Sequence, residues 1–389
     1  MIRLKERIHM SDLLRNKIFG CIAGAYIGSS MGAVTEGLSA AEIREKYGYV
    51  NELLPLVDSA QFSSRTMPAG TIEDGIERQK FMCLAILDKK DRVTINDVAQ
   101  AIIKYGEDEK LKVSCSQFDI ELNLLAKAGV LPRQIGTYQS IADLVAFPRS
   151  CHPIGLVNAC DPQQAALDAF EVGSLYGPDN IHENGLEWGA VVCAAIAEAC
   201  KPDATMESVI EAGRKYCRRI LYPGTNPSVP ISEENVAVSS VFELIGKLDK
   251  AIETAKEAAG ETELREKLDS TFGLYGNVTY PISRSPEIVC RALAIFYFCR
   301  GDLKRTIEVS VNMGRDTDCT AAIASGLSGA FSGGAGLPQS WIDTVDEATK
   351  IYPFTVAKWT MRELSDMLYD VVMLRAERME SIVNDIRRG

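Results

Sequence analysis

Histidine is nearly absent from this chain. Its three copies, His9, His152 and His182, stand far apart in 389 residues, and none is paired at the spacing of a zinc motif, which excludes a histidine-rich zinc centre. Aromatic residues make up only 7% of the sequence, whereas glycine alone contributes 30 residues. A core poor in rings and rich in small side chains points to helices packed at close range. Basic charge is in deficit, with a net charge of −11. That balance argues against nucleic acid or an anionic membrane as partner, and no nucleic-acid-reading module is recognisable. Long apolar runs are missing too: the longest, Ile18 to Gly28, is about half of what a membrane span needs. The opening ten residues mix acid with base and do not read as a secretion or import signal. Eleven cysteines, an odd number, contain no C-x-x-C pair, as expected of reduced thiols in a cytoplasmic protein.

What the sequence does contain is helical periodicity. From Asp12 to Gly32 a helix is expected with Gly20, Gly24, Gly28 and Gly32 on one face, a stripe that lets another backbone approach closely. Helical patterns follow near 95–128, 162–176, 185–201, 204–220, 233–258, 286–300 and 302–312, while strand signals are scarce. A last amphipathic helix, about 361–387, carries its apolar residues on one side and reads as core cover or a subunit contact. No linker, repeat or low-complexity tract divides the chain. The expectation is a single all-α domain over 1–389.

Two segments concentrate acid. Asn312-Met313-Gly314-Arg315-Asp316-Thr317-Asp318-Cys319-Thr320 leads into a helix of small residues. A two-residue step along a helix turns about 200°, so Asp316 and Asp318 converge only if the backbone there is still a turn, which Gly314 permits. Hard oxygen ligands at that point suit Mg²⁺, Mn²⁺ or Ca²⁺ rather than zinc. Helix capping accounts for one such aspartate as well, so cap and metal site stay open as alternatives. In Gly70-Thr71-Ile72-Glu73-Asp74-Gly75-Ile76-Glu77, three acids crowd a helix start, where dipole complementarity is the plainer account.

Taken in order, these motifs resemble the ADP-ribosylglycohydrolase family over about residues 20–341. Gly24-Ala-Tyr-Ile-Gly28-Ser29-Ser-Met-Gly32 followed by Glu36 is similar to an opening G-x-x-x-G-D-A-x-G…E. Gly70 to Gly75 stands where G-x-x-T-D-D is expected, and Pro153-Ile154-Gly155 matches P-[IL]-G. His182 is placed like a threonine–histidine step, Asn312 to Asp318 matches N-x-G-G-D-T-D, and Gly329-Ala330 through Pro338 matches the ending. The resemblance implies an orthogonal all-α multi-helix bundle with one or two Mg²⁺ ions, Mn²⁺ being an alternative, held between the two acidic motifs. It implies metal ligands among Glu73, Asp74, Asp316, Asp318 and Thr320, with Glu36, Asp74 and Asp316 in catalysis. Arg149, Ser150, His152, Gly155 and His182 become the candidate substrate contacts.

The implied activity is metal-dependent hydrolysis of a ribosyl N- or O-glycosidic bond, in ADP-ribosyl compounds, an ADP-ribosylated protein or a smaller ribosyl compound such as a nucleoside. The chain also departs from the pattern. Ser29 replaces an aspartate, Glu73 and Gly75 replace the threonine and second aspartate of T-D-D, Cys319 follows the last aspartate, and no N-G-x-x-R element precedes Pro153. Glu77, one turn along from Glu73, is the candidate to fill the missing carboxylate. The departures also fit a second reading, a family member that has lost catalysis and serves as a ligand-binding or structural protein.

Overall fold

One helix pair positions everything else. In a computed structural model of the chain, which describes residues 2–56, 67–72, 74–138, 144–177, 185–216, 236–272, 274–275, 278–279 and 283–388, the first helix, α1 (Ile2–Gly32), lies antiparallel on a late one, α17 (Thr317–Ser332). Between them in chain order come α2 (Ala40–Tyr47), α3 (Asp74–Lys89), α4 (Ile95–Tyr105), α5 (Asp108–Ser114), α6 (Gln117–Lys127), α7 (Pro132–Thr137), α8 (Ala146–Ser150) and α9 (His152–Val157). They are followed by α10 (Pro162–Gly173), α11 (Gly185–Ala199), α12 (Met206–Tyr216), α13 (Val236–Glu257), α14 (Glu261–Phe272), α15 (Ser285–Phe298) and α16 (Leu303–Val311). Beyond α17 lie α18 (Gln339–Ile351) and α19 (Met361–Arg388). The fold is all-α; among the described residues the one sheet is a small hairpin, β1 (Leu274–Tyr275) against β2 (Val278–Thr279).

The glycine stripe of α1 acts as the sequence suggests. A methyl group added at Gly20 would come within 2.5 Å of the Gly329 carbonyl, at Gly24 within 2.3 Å of that of Ser325, and at Gly28 within 2.7 Å of that of Ala321. At Gly32 it would meet the Asp318 Cα at 2.6 Å. Backbone therefore touches backbone along the whole crossing, and every residue from 17 to 35 is buried. Around this pair, α16, α18 and α19 pack on α1, and α11, α15 and α16 on α17. Lys17, itself buried, donates to the carbonyls of Ala199 and Lys201 at 2.7 and 2.6 Å, covering the end of α11 where carbonyls lack partners.

The expected helix over 95–128 is three helices. The first stops at Gly106, whose N–H bonds Ile102 O at 2.8 Å, and a new one starts at Ser116, which forms a capping box with Asp119. Both are strong local punctuation that overrides the apolar period. Among the described residues no helix is long and apolar enough to cross a membrane, and ten cysteines are free thiols.

Replacing Gly24 by valine should lower stability by about 3 kcal/mol through overpacking. Even Gly24→Ala should destabilise, although alanine favours a helix by roughly 1 kcal/mol. Urea denaturation measures both, and a stabilised alanine variant would contradict the close crossing.

Candidate functional site

Asp316 and Asp318 stand where α17 begins. Asp316 is the N-cap, in a non-helical conformation (φ −84°, ψ 78°), and its Oδ1 accepts from the Cys319 N–H at 3.2 Å. Asp318 already belongs to the first turn. The pair therefore straddles the boundary between loop and helix, which lets both carboxylates converge. One donor atom each from Asp316, Asp318 and Cys319 lie within 4.8 Å of one another, and all three residues are buried.

The loop before them is held from several sides. Gly314 (φ 81°) and Arg315 (φ 65°) are consecutive left-handed residues. Glycine adopts this conformation freely, but a side chain rarely does. Arg315 is compensated by two bonds to Glu287, at 2.5 and 2.8 Å. Its backbone exchanges bonds with the turn after α1, Arg315 N–H to Leu38 O and Gly37 N–H to Arg315 O, both 2.8 Å. This exchange sets half-buried Glu36 beside the aspartate loop. Asn312 bonds Val50 through both ends of its amide, at 2.9 and 2.8 Å. Under the first turn of α17, Thr317 donates to Gly32 O at 2.8 Å, and Thr35 Oγ1 lies 2.8 Å from Val311 O.

Asp74, the first residue of α3, meets this loop through an arginine. Arg149 Nη1 lies 3.0 Å from Asp74 Oδ1, and Arg149 Nη2 lies 2.5 Å from Asp318 Oδ2. The same Nη2 reaches Ser29 Oγ at 3.2 Å. Arg78, one turn along α3, bonds Asp74 at 2.5 Å and Asp119 at 2.6 Å. Burial works to raise the Asp74 pKa, but Arg78 and then Arg149 outweigh it and hold the carboxyl below its ordinary range. Room for the Arg149 arm is made by Gly75: a Cβ there would fall 2.0 Å from Arg149 Nε. Arg78 and Asp119 were missed as members of this site. The spacing of Arg78 four residues after Asp74 is the signal of a helical ion pair; that of Asp119, three residues after Ser116, signals only a helix cap.

Several expected site residues serve the core instead. Ser150 is buried and donates to Ala146 O at 2.6 Å on its own helix. His152 is fully buried: its Nδ1 faces Gln79 Nε2 at 3.1 Å and its Nε2 the Ala322 carbonyl at 3.1 Å, so no ring nitrogen is left for a substrate. Gly155 lets α9 approach α11, with Ile196 Cβ 2.9 Å from a Cβ placed there. The Thr320 hydroxyl turns back to Asp316 O at 2.7 Å. Glu77 does not fill the gap left by Gly75. It is buried on another face of α3, accepting from Thr355 Oγ1 at 2.8 Å, Val356 N–H at 2.8 Å and Lys80 Nζ at 3.2 Å. Arg149 lies in the acidic centre rather than at a substrate-facing surface. Glu73 and His182 lie outside the described residues.

The donor set fits a cation in one place and not in another. Asp316 Oδ2 is buried without a hydrogen-bond partner, a state that an ion would relieve. Its neighbour Asp318 adds a second hard oxygen, whereas Cys319 is a soft thiol that burial keeps protonated. The space shared by Asp74 and Asp318, by contrast, already holds the Arg149 guanidinium.

Burial pushes the His152 pKa down to about 4 from 6.5. The unfolded chain accepts a proton that the folded chain refuses, so this contribution is complete above about pH 6.5 and is lost as pH falls towards 4. The loss should reach roughly 3 kcal/mol. His152→Gln should flatten that slope in urea unfolding, and equal slopes would mean that the ring is hydrated. Glu77→Ala strands Lys80 and should cost about 3–5 kcal/mol without changing divalent-ion binding, which thermal unfolding and calorimetric titration respectively would check.

Comparison with known proteins agrees with the family resemblance. The family model for ADP-ribosylglycohydrolase matches residues 10–377. A protein of Archaeoglobus fulgidus, described as an uncharacterized protein, is 24% identical over 352 residues, covering 87% of this chain and 97% of its own length. A solved structure, the ADP-ribosylglycohydrolase-related protein complex, has the same fold with a TM-score of 0.61 at 16% identity, over 93% of this chain and 99% of its own. With a match that leaves out only the two ends of the polypeptide, the chain belongs to the ADP-ribosylglycohydrolase family.

Proposed function

We propose that this protein hydrolyses a ribosyl N- or O-glycosidic bond, in ADP-ribosyl compounds or a related ribosyl compound, with a divalent ion on Asp316 and Asp318. The observation that carries the reading is the convergence of acids from opposite parts of the chain: Asp74 and Asp318 contact one guanidinium, and Asp316, buried with its Oδ2 unpartnered, lies beside Asp318. Carboxylates are the ligands that Mg²⁺ or Mn²⁺ prefers. When bound, such an ion supplies a polarised oxygen and a more acidic water.

The chain's own residues provide the rest. Asp74, kept ionised by Arg78 and Arg149, opposes the positive charge that develops on the sugar as the bond breaks. Glu36, half-buried on the turn bonded to the aspartate loop, is the carboxylate we assign to take a proton from the attacking water. The free thiols support a reducing, cytoplasmic setting. Family membership supports ADP-ribosyl chemistry. The packing of Ser150, His152 and Gly155 into the core takes away three expected substrate contacts and so keeps the nucleoside variant in play.

A second reading, a ligand-binding protein without turnover, is favoured by the guanidinium lodged between Asp74 and Asp318. Incubating the protein and Mg²⁺ with ADP-ribosyl-arginine, ADP-ribosyl-serine and a nucleoside panel separates the two. The hydrolase reading expects release of the ribosyl group from one of them, and a loss of about 100-fold or more in kcat/KM for Asp318→Asn. Bound metal with no product from any substrate would support the second reading.

A further inference from the structure

We infer that Arg149 is the resident cation of the gap between Asp74 and Asp318, that it excludes a divalent ion from that gap, and that the chain therefore holds at most one such ion, on Asp316 and Asp318. The inference rests on the proposed function only for the ion on Asp316 and Asp318. Exclusion from the gap stands without it.

The guanidinium touches both carboxylates, at 3.0 and 2.5 Å, and the whole residue is only 5% exposed. An ion bridging the same two oxygens would have to occupy the space of the guanidinium, in contact with a charge that arginine does not give up. The arm is seated rather than loosely placed. A Cβ at Gly75 would lie 2.0 Å from Arg149 Nε and 2.4 Å from its Cδ, so the slot exists only because position 75 has no side chain. Its main chain is fixed as well: Arg149 N–H bonds Val145 O at 2.9 Å, and Arg149 O accepts from Gln79 Nε2 at 2.9 Å.

Charge points the same way: Asp74, Asp119 and Asp318 already pair with the guanidinium groups of Arg78 and Arg149, whereas Asp316 Oδ2 has no partner. Ser29 and Gly75, both places where the chain departs from the family pattern by losing an aspartate, are in contact with Arg149. The two lost acids and this base are thus neighbours in space.

The test is a count of Mn²⁺ per chain by equilibrium dialysis of chelator-stripped protein. The wild type should bind one ion, and the double variant Gly75→Asp/Arg149→Met, which restores a carboxylate and removes the charge, should bind one more. Two ions in the wild type, or no gain in the variant, would overturn the inference. None in the wild type and one in the variant would uphold exclusion while removing the one-ion hydrolase reading. Should the variant fail to fold, electron paramagnetic resonance of Mn²⁺-loaded wild type decides alone: the signal of isolated manganese, or none, is expected, and that of an exchange-coupled pair would sink the inference.

Discussion

Contact of backbone with backbone between α1 and α17 is the constraint on which the site depends. Four glycines at a spacing of four residues bring the two helices close enough that Gly32 lies against the Asp318 Cα and Thr317 reaches the Gly32 carbonyl. The height and direction of the first turn of α17 follow from that crossing, and so do those of its two aspartates. The loop on the other side, with its left-handed Gly314 and Arg315, completes the constraint by presenting Asp316 just before the helix starts. Helix propensity is lost at every glycine. Close packing and the hydrogen bonds around Thr35 and Thr317 offset it.

Charge is the second theme. Buried carboxylates carry a desolvation cost that only close partners repay, and in the centre every acid but Asp316 has a guanidinium as partner. Asp119 and Asp74 have Arg78, Asp74 and Asp318 have Arg149, and Asp316 has one oxygen on the α17 backbone and another with none. A guanidinium and a divalent ion are not equivalent in chemistry. Both neutralise acid, but the guanidinium donates hydrogen bonds in a fixed plane and does not make a bound water acidic as a metal does. Placing Arg149 in the gap therefore retains the electrostatic balance of the centre while changing what its oxygens can do.

Much of the fold was legible because its signals are local and periodic. The glycine stripe, the small-residue helix α17 and the amphipathic α19 follow from spacing alone, and the convergence of Asp316 with Asp318 follows from a turn that Gly314 permits. Motif order supplied the family. What could not be read was direction in space. Glu77 shares a sequence neighbourhood with Asp74 yet faces Thr355 and Lys80 on another side of α3. His152 looks like a functional residue in a loop, but its ring spans Gln79 and Ala322 in the core. Gly75 reads as a missing ligand until the arm of Arg149, far away in sequence, is seen above it.

Arg149 also alters how this corner of the molecule comes together. An ion must be captured from its surroundings, at whatever level the cell maintains, and can be stripped away again. A guanidinium is tethered to the polypeptide, so its effective concentration at Asp74 and Asp318 is set by chain connectivity alone. The junction between α3, α8 and α17 can accordingly close as the newly made chain folds, in magnesium-poor or magnesium-rich surroundings alike.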